Sequence, residues 1–416
     1  MVNYECAKCK RVFDQKGHYE KHLTRKTPCK PPLVKKAEPE REFRNNSDEM
    51  HSALTKVYRQ DNGIFFTPLK VRNHVFSVLK ELDCNPTTIL EPSFGSGEFL
   101  LDLYSKFPES TIYGVEKDKT LFNSVKHTDL LFNQDFLEFK DCKVDLIIGN
   151  PPYFNISEKN PNCMTGHGNI YILFIYKCLT EHLNTNGILA FVLPTSLYNS
   201  SYYEPCRKYI AENTTILHLE NLSAQYFDTT QKTMLLVLKN NKENDNFLFK
   251  RHNNIYITPF YKELNELVKN TATLHELGIS IKTGEVVWNQ EKDKLSDTNG
   301  TLVVYTSNIV DNKLVLNNLK GEKKQYIQNF KKTPTKGPAI VISRGYGNNY
   351  RFSYTVVGDL EFYGENHMNV LKCGEHVQRV SNSLSNKKTE DFIKYFVGNG
   401  ALSKTEIEYI LPIFQD

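Results

Sequence analysis

Nowhere in its 416 residues does the sequence carry an apolar run approaching the roughly 18–20 residues of a membrane-spanning helix. The N-terminus is basic but has no apolar core segment, so neither a membrane span nor a secretory signal is supported. Neither positive nor negative residues dominate: 52 Lys/Arg stand against 48 Asp/Glu, the net charge is only +4, and nucleic-acid binding must be argued from local patches. No internal repeat is evident. Of nine cysteines, only Cys6, Cys9 and Cys29 cluster. That pattern reads as reduced thiols plus one metal site, in a soluble protein of a cytosolic or nuclear compartment. What remains is an ordinary globular composition, 39% hydrophobic and 24% charged, at a length suited to two or three domains.

What is present centres on Asn150-Pro151-Pro152-Tyr153, which follows the apolar run 144–149. The run reads as a buried strand ending in a tight turn. Two successive prolines donate no backbone hydrogen bonds and hold the chain extended. The Asn150 side-chain oxygen and the Pro151 carbonyl can then face one way as two fixed acceptors. With the Tyr153 ring beside them they suit a planar substrate bearing an amino group; a proline-rich loop after a strand is the plain alternative. Upstream, residues 89–100 read as strand, glycine-containing turn and helix start. Glu91, Ser93, Phe94, Gly95 and Gly97 lie where glycine lets a ligand approach the backbone. Residues 111–116 form a second strand ending in Glu116, placed for a ribose diol. Position 100 is Leu where a dinucleotide fingerprint has its third glycine, which disfavours NAD. At the end of a third strand, Asp135 and Phe136 offer a carboxylate and a ring suited to an adenine. An acid at a turn beside a core Phe is the plain reading there. Together these predict a doubly wound α/β sheet with a nucleotide-like ligand across adjacent strand ends.

Residues 1–30 carry Cys6-x2-Cys9-x12-His22-x6-Cys29, with Phe13 and Tyr19 where zinc fingers keep two core apolar residues. A module this short cannot bury enough surface to fold unaided, so Zn2+ would supply the stability. The final spacing and the last Cys depart from the usual H-x3-H ending, and His18 is expected on an exposed helix face. Eight Lys/Arg against three acids favour phosphate contact, with protein docking left open. Residues 31–49 lack apolar periodicity and read as a linker. A catalytic domain then spans 50–244. Near its start Thr67 is expected to N-cap a helix, with Pro68 at the first helical position.

The ordered series Glu91-Pro92-x-Phe94-Gly95-x-Gly97, Gly114-Val115-Glu116, Asp135-Phe136 and Asn150-Pro151-Pro152-Tyr153 resembles the amino-methyltransferases that use S-adenosylmethionine. It is most similar to the gamma-class DNA adenine-N6 methyltransferases, over about residues 63–239. The resemblance implies a Rossmann-like methyltransferase sheet, S-adenosylmethionine as cofactor, double-stranded DNA as partner, and a flipped adenine as the acceptor. It also implies roles. Asn150, Pro151, Pro152 and Tyr153 hold the target amine, and Phe227 stacks on the base opposite Tyr153. Thr67 contacts the methionine end of the cofactor, Asp135 takes its adenine amino group, and Phe136 and Phe174 pack on the ring. Phe174 and Phe227 are also readable as core aromatics. A cognate restriction endonuclease is compatible with such an enzyme, and a finger fused to one hints at a large DNA virus or an unusual host.

From 245 onward short strand-like runs alternate with Asn/Gly turns, where the resembled family carries variable target-recognition domains. Residues 320–351 hold eight Lys/Arg and one acid, interleaved with Tyr326, Phe330, Tyr346 and Tyr350. The stretch 344–351 reads as a loop able to enter a groove, since Arg and Asn pair bidentately with guanine and adenine edges. A solvated charged face is the plain alternative. Residues 245–416 are thus expected to form a mixed target-recognition domain. Rival readings keep the cofactor and change the acceptor to an RNA base amine, cytosine N4 or a protein glutamine amide. A different class of answer is an inactive nucleic-acid-binding adaptor.

Overall fold

The computed structural model describes residues 4–6, 12–13, 15–24, 44–126, 128, 130–140, 142–223, 232–345, 350–396 and 402–415. The chain divides into two compact units, residues 1–44 and 45–416. In the first, β1 (Tyr4–Glu5) pairs antiparallel with β2 (Val12–Phe13), and α1 (Lys16–Leu23) follows. The Phe13 ring lies 4.8 Å from His22 and 6.0 Å from Tyr19. Cys6 and His22 are buried and His18 is exposed. Cys9 and Cys29 lie outside the described residues.

The second unit opens with α2 (Asn45–Ala53), α3 (Lys56–Asp61) and α4 (Leu69–Glu81). Strands and helices then alternate: β3 (Thr88–Glu91), α5 (Glu98–Lys106), β4 (Thr111–Glu116), α6 (Lys119–Ser124), β5 (Leu131–Asn133) and β6 (Val144–Gly149). A short ladder of β7 (Asn155–Ile156) and β8 (Gly168–Asn169) leads to α7 (Ile170–Lys177). After it come β9 (Leu183–Pro194), α8 (Glu204–Asn213), β10 (Thr215–Leu222) and β11 (Thr233–Lys239). One seven-stranded sheet has the order β10-β11-β9-β6-β3-β4-β5. Strands β3, β4, β5, β6 and β9 run parallel, and β11 enters antiparallel to both neighbours. Strand order reverses between β3 and β6, and open α/β sheets bind ligands at the carboxyl ends of such a pair.

Successive side chains on these strands point to opposite faces, and both faces are covered. Ile89, Leu146 and Ile148 pack with Val75 and Leu79 of α4 and Leu100 of α5. Leu90 and Ile147 pack with Ile172 and Ile175 of α7 and Ile210 of α8. Double burial is why the strands read as nearly continuous apolar runs.

Beyond β11 lies a four-stranded sheet in the order Ile281–Thr283, Met368–Leu371, Ala339–Ser343, Tyr354–Val357. A five-stranded one has the order Leu295–Ser296, Tyr326–Ile327, Thr301–Val304, Glu361–Gly364, Thr335–Lys336. Buried polar contacts tie this region to the first sheet's layers. Arg207 of α8 donates to the Ile255 carbonyl at 2.6 Å, and Asn199 donates to Glu406 Oε1 at 3.2 Å. Among the described residues no helix is long and apolar enough to cross a membrane.

One local expectation fails. Thr67 does not cap α4: Pro68, extended at φ −59° and ψ 147°, takes the capping place, and the helix starts one residue late at Leu69. Beneath that start sits Arg72, 1% exposed. It donates to the Thr67 carbonyl at 2.5 Å and to Asp102 Oδ2 at 2.7 Å, and pairs with Glu98. Glu98 also accepts from the Ser47 hydroxyl, and Asn46 donates to the Ser96 carbonyl at 2.7 Å. The network joins α2, the turn before α5 and the start of α4. Removing the cation leaves buried carboxylates uncompensated, so Arg72→Ala is expected to lower the unfolding free energy by about 3–5 kcal/mol in urea melts.

Candidate active site

At the reversal of strand order, Pro92 and Ser93 leave β3 beside Asn150, which leaves β6. A cavity of about 320 Å³ opens there, within the roughly 300–1,000 Å³ range of small-molecule sites. Of the residues singled out in the sequence, Ser93, Gly95, Glu116, Asp135, Phe136, Asn150, Pro152 and Phe174 line it. An adjoining pocket of about 30 Å³ brings Thr67, Glu91 and Phe94 to Ser93, Gly95 and Asn150. Gly97 serves one step back, starting α5 from φ +84°. Phe227 lies outside the described residues.

Asn150 is held from behind. Its Nδ2 donates to the Phe65 carbonyl and to Thr67 Oγ1, each at 3.1 Å. A carbonyl only accepts, so the amide nitrogen must face it and the amide oxygen must face away. That oxygen accepts from the Tyr153 hydroxyl, which also lies 2.6 Å from the Val192 carbonyl. One hydroxyl proton serves one acceptor at a time, and an amide oxygen has two lone pairs. Acceptor capacity therefore remains at Asn150. Tyr153 is 8% exposed, its ring stacked 6.1 Å from Phe65 and edge-on to Tyr171. Pro151 is buried and Pro152 half-buried.

Two buried acids on neighbouring strands stand at the site, Glu116 in the cavity and Glu91 in the adjoining pocket. Glu116 accepts from the backbone N–H of Gly95 at 2.8 Å and of Asp118 at 2.7 Å. Burial outweighs those bonds and pushes its carboxyl up to about 7. Glu91 is 2% exposed and its Oε2 has no hydrogen-bond partner. Burial, then the nearby Glu116, raises its pKa well above the carboxylate range. An orphaned buried carboxylate oxygen and a second, half-neutralised acid suit a ligand that brings hydroxyl donors and positive charge. Asp135 is already engaged, accepting from the Leu137 N–H and, at 2.8 Å, from the exposed ammonium of Lys117. Phe136 and Phe174 meet with ring centroids 4.8 Å apart.

Sequence reasoning missed the other wall. Tyr58 and Asn62, from α3 and its end, line the cavity with Ile64 and Phe65. Tyr58 donates to Asp118 Oδ2 at 2.6 Å, and Asp118 itself caps α6. Asp118 ahead of α6 carries a capping signal; Tyr58 carries none, because nothing local marks a residue that meets its partner 60 positions on.

Strand order with a lone antiparallel β11, and a polar cavity at the switch point, define a Rossmann-like fold of the S-adenosylmethionine-dependent methyltransferases. Residues 96–227 match the family model of the Eco57I restriction-modification methylase. Type II methyltransferase M.CvrRI of Paramecium bursaria Chlorella virus XZ-6E is 30% identical over 389 residues, covering 89% of this chain and 99% of its own. Modification methylase CviBIII of Paramecium bursaria Chlorella virus NC1A is 30% identical, covering 88% and 97%. Among solved structures, the M protein of the type I restriction enzyme EcoKI is 15% identical over 42% of this chain and 45% of its own, at a TM-score of 0.34. The chain belongs to the type II restriction-modification methyltransferase family.

Gly63, at φ +64°, presses on the segment 150–153: a Cβ there would meet the Tyr153 backbone N at 2.7 Å and Pro152 Cβ at 2.9 Å. Both the strained φ and the contact oppose any side chain. Gly63→Ala is expected to cost about 1–3 kcal/mol in a denaturant titration. An unchanged midpoint would show that the segment yields freely.

Proposed function

We propose that this chain is a site-specific DNA adenine-N6 methyltransferase that draws its methyl group from S-adenosylmethionine. The observation that carries this reading is the Asn150 amide at the switch point, turned by Phe65 and Thr67 so that its oxygen is the acceptor. Relatives named type II methyltransferase and modification methylase, matched over nearly their full length, favour DNA over RNA or a glutamine side chain. Asn rather than Ser before the two prolines favours adenine over cytosine.

In this reading the larger cavity takes the cofactor. Glu116 accepts from the ribose hydroxyls, and Asp135 accepts from the adenine amino group in place of Lys117. Phe136 and Phe174 cover the ring, while the turn through Ser93, Phe94, Gly95 and Gly97 lets it approach the backbone. Thr67 and Glu91, in the small pocket, face the methionine end. S-adenosylmethionine supplies an electrophilic sulfonium methyl when bound.

An adenine inside a duplex cannot be reached, so the base leaves the stack. Its amine is a poor nucleophile because the nitrogen lone pair is delocalised into the ring. Hydrogen bonds from its protons to Asn150 Oδ1 and the Pro151 carbonyl localise that pair. Positive charge then developing on nitrogen is stabilised by the two dipoles and by the face of Tyr153. Stacking on Tyr153 and Phe227 contributes about 1–3 kcal/mol per base. It requires Tyr153 to become more exposed than its present 8%, so the segment shifts when DNA binds.

Residues 245–416 act as the target-recognition domain. Lys320, Lys331, Lys332, Lys336 and Arg344 are exposed and, among the described residues, make no ion pair. Lys323, Lys324 and Arg351 are instead paired with Glu365, Asp297 and Glu390. We further propose Zn2+ in the N-terminal module, held by Cys6, Cys9, His22 and Cys29. Burial of Cys6 and of His22 beside Phe13 supports it.

Asn150→Ala is expected to slow single-turnover methylation about 10²–10³-fold. Nucleoside mass spectrometry of DNA from cells expressing the protein should reveal N6-methyladenine; N4-methylcytosine, or DNA left unmodified, would overturn the reading. Glu116 adds a pH test. Its folded carboxyl, raised to about 7, keeps a proton that the unfolded chain has already lost, so ionising it opposes folding as pH rises through that window. A diol binds the ionised form and pulls that pKa down. Cofactor affinity is therefore full above pH 7 and weakens below it, by up to about tenfold per unit. Calorimetry at pH 6 and pH 8 measures this; equal affinities would remove Glu116 from the role.

A further inference from the structure

On the edge strand of the main sheet, away from the cofactor cavity, three ligand-bearing side chains converge. His218 and Glu220 alternate on β10 and so share one face. A register shift in the β10–β11 ladder between Ile216 and His218 precedes them, and such irregularities re-aim side chains. His74 comes down from α4 onto that face. One ligand atom from each of the three lies within 4.8 Å of the others, and all three residues are half-buried.

Both imidazoles turn Nε2 toward the same carboxylate oxygen. His74 Nε2 contacts Glu220 Oε1, and His218 Nε2 stands 3.4 Å from it. His218 Nε2 is shut from solvent yet makes no hydrogen bond, because its approach to Glu220 is off line. One ion pair would need one histidine. A second imidazole with a buried, unbonded nitrogen aimed at the same point is poorly accounted for by pairing, since two protonated rings at this separation repel. A cation among the three atoms satisfies all of them. Beside the cluster a cavity of about 160 Å³, lined by Lys70, Val71, Asn221, Leu222 and Ser223, leaves one approach open.

We propose that His74, His218 and Glu220 bind a single first-row divalent transition-metal ion, Zn2+ or a neighbour such as Co2+ or Ni2+. Two imidazoles and one carboxylate are the donor set such ions take, with water completing a four-coordinate shell from the open side. Hard ions such as Ca2+ and Mg2+ are disfavoured because two of the three donors are nitrogen. The ion ties helix α4 to the outermost strand, two elements whose ligands lie about 146 positions apart in the chain. The site is independent of the methyl-transfer reading and of the N-terminal cysteines.

The test is a metal count on full-length protein equilibrated with Zn2+ and freed of loosely held ion. His218→Gln and His74→Gln are each expected to carry one equivalent less than the parent chain. With Co2+ in place of Zn2+, the lost equivalent is the one without thiolate charge-transfer absorption, which separates it from any ion held by Cys6 and Cys9. Glu220→Gln should weaken binding at least about tenfold. The two histidines sit on different elements, so a variant that fails to fold leaves the other to report. Equal metal content in the parent and both variants would overturn the site. So would a lower Tm at unchanged metal content, the mark of a plain ion pair, or loss confined to the thiolate-linked ion.

Discussion

A single amide, anchored at its nitrogen end, is what the rest of the candidate site depends on. Asn150 could present either end of its side chain to the cavity, and the two ends are nearly the same shape. The Phe65 carbonyl, which can only accept, decides that the oxygen is the end that faces away, and the Thr67 hydroxyl accepts from the same nitrogen. Thr67 is itself steadied by Arg72, which grips the Thr67 carbonyl from beneath α4. Arg72 is in turn matched by Glu98 and Asp102 of α5. The polarity of one side chain at the surface of the cavity is thus set by a buried ionic network behind it.

Sheet topology explains why the two halves of the site coincide. Adjacent β3 and β6 carry helices departing to opposite faces, so their carboxyl ends are free to part. The glycine turn after β3 and the proline pair after β6 are neighbours for that reason alone. Their separation in sequence, from Gly95 to Asn150, is the length of the intervening strands and helices.

How much was legible in the sequence follows the range of each interaction. The strands around the site announce themselves through short apolar runs, and the glycine turn, Glu116, Asp135 and the proline pair sit at their ends as pattern suggests. Thr67 reads locally as a helix cap but is not one, because local propensity cannot see an amide arriving from 83 residues away. Tyr58 and Asn62 carry no local signal, since α2 is held by contacts of Ser47 with Ser96 and Glu98, and α3 by bonds from Arg59 to the His51 carbonyl and from Tyr58 to Asp118. The burial of Tyr153 was equally invisible, being decided by Phe65 and Tyr171 on other elements. His74, His218 and Glu220 give no motif at all, for their meeting is a product of tertiary packing.

The bolt between α8 and the C-terminal region has a consequence for how such a protein can change. Arg207 is buried at 2% exposure and grips Ile255 across the junction, and residues 45–416 form one compact unit. Buried polar contacts of this kind, with Asn199 on Glu406 beside them, oppose turning of the C-terminal region against the sheet. On the proposed reading, in which residues 245–416 recognise the target, a lineage changes its target by replacing side chains on that surface one at a time rather than by turning the region against the sheet.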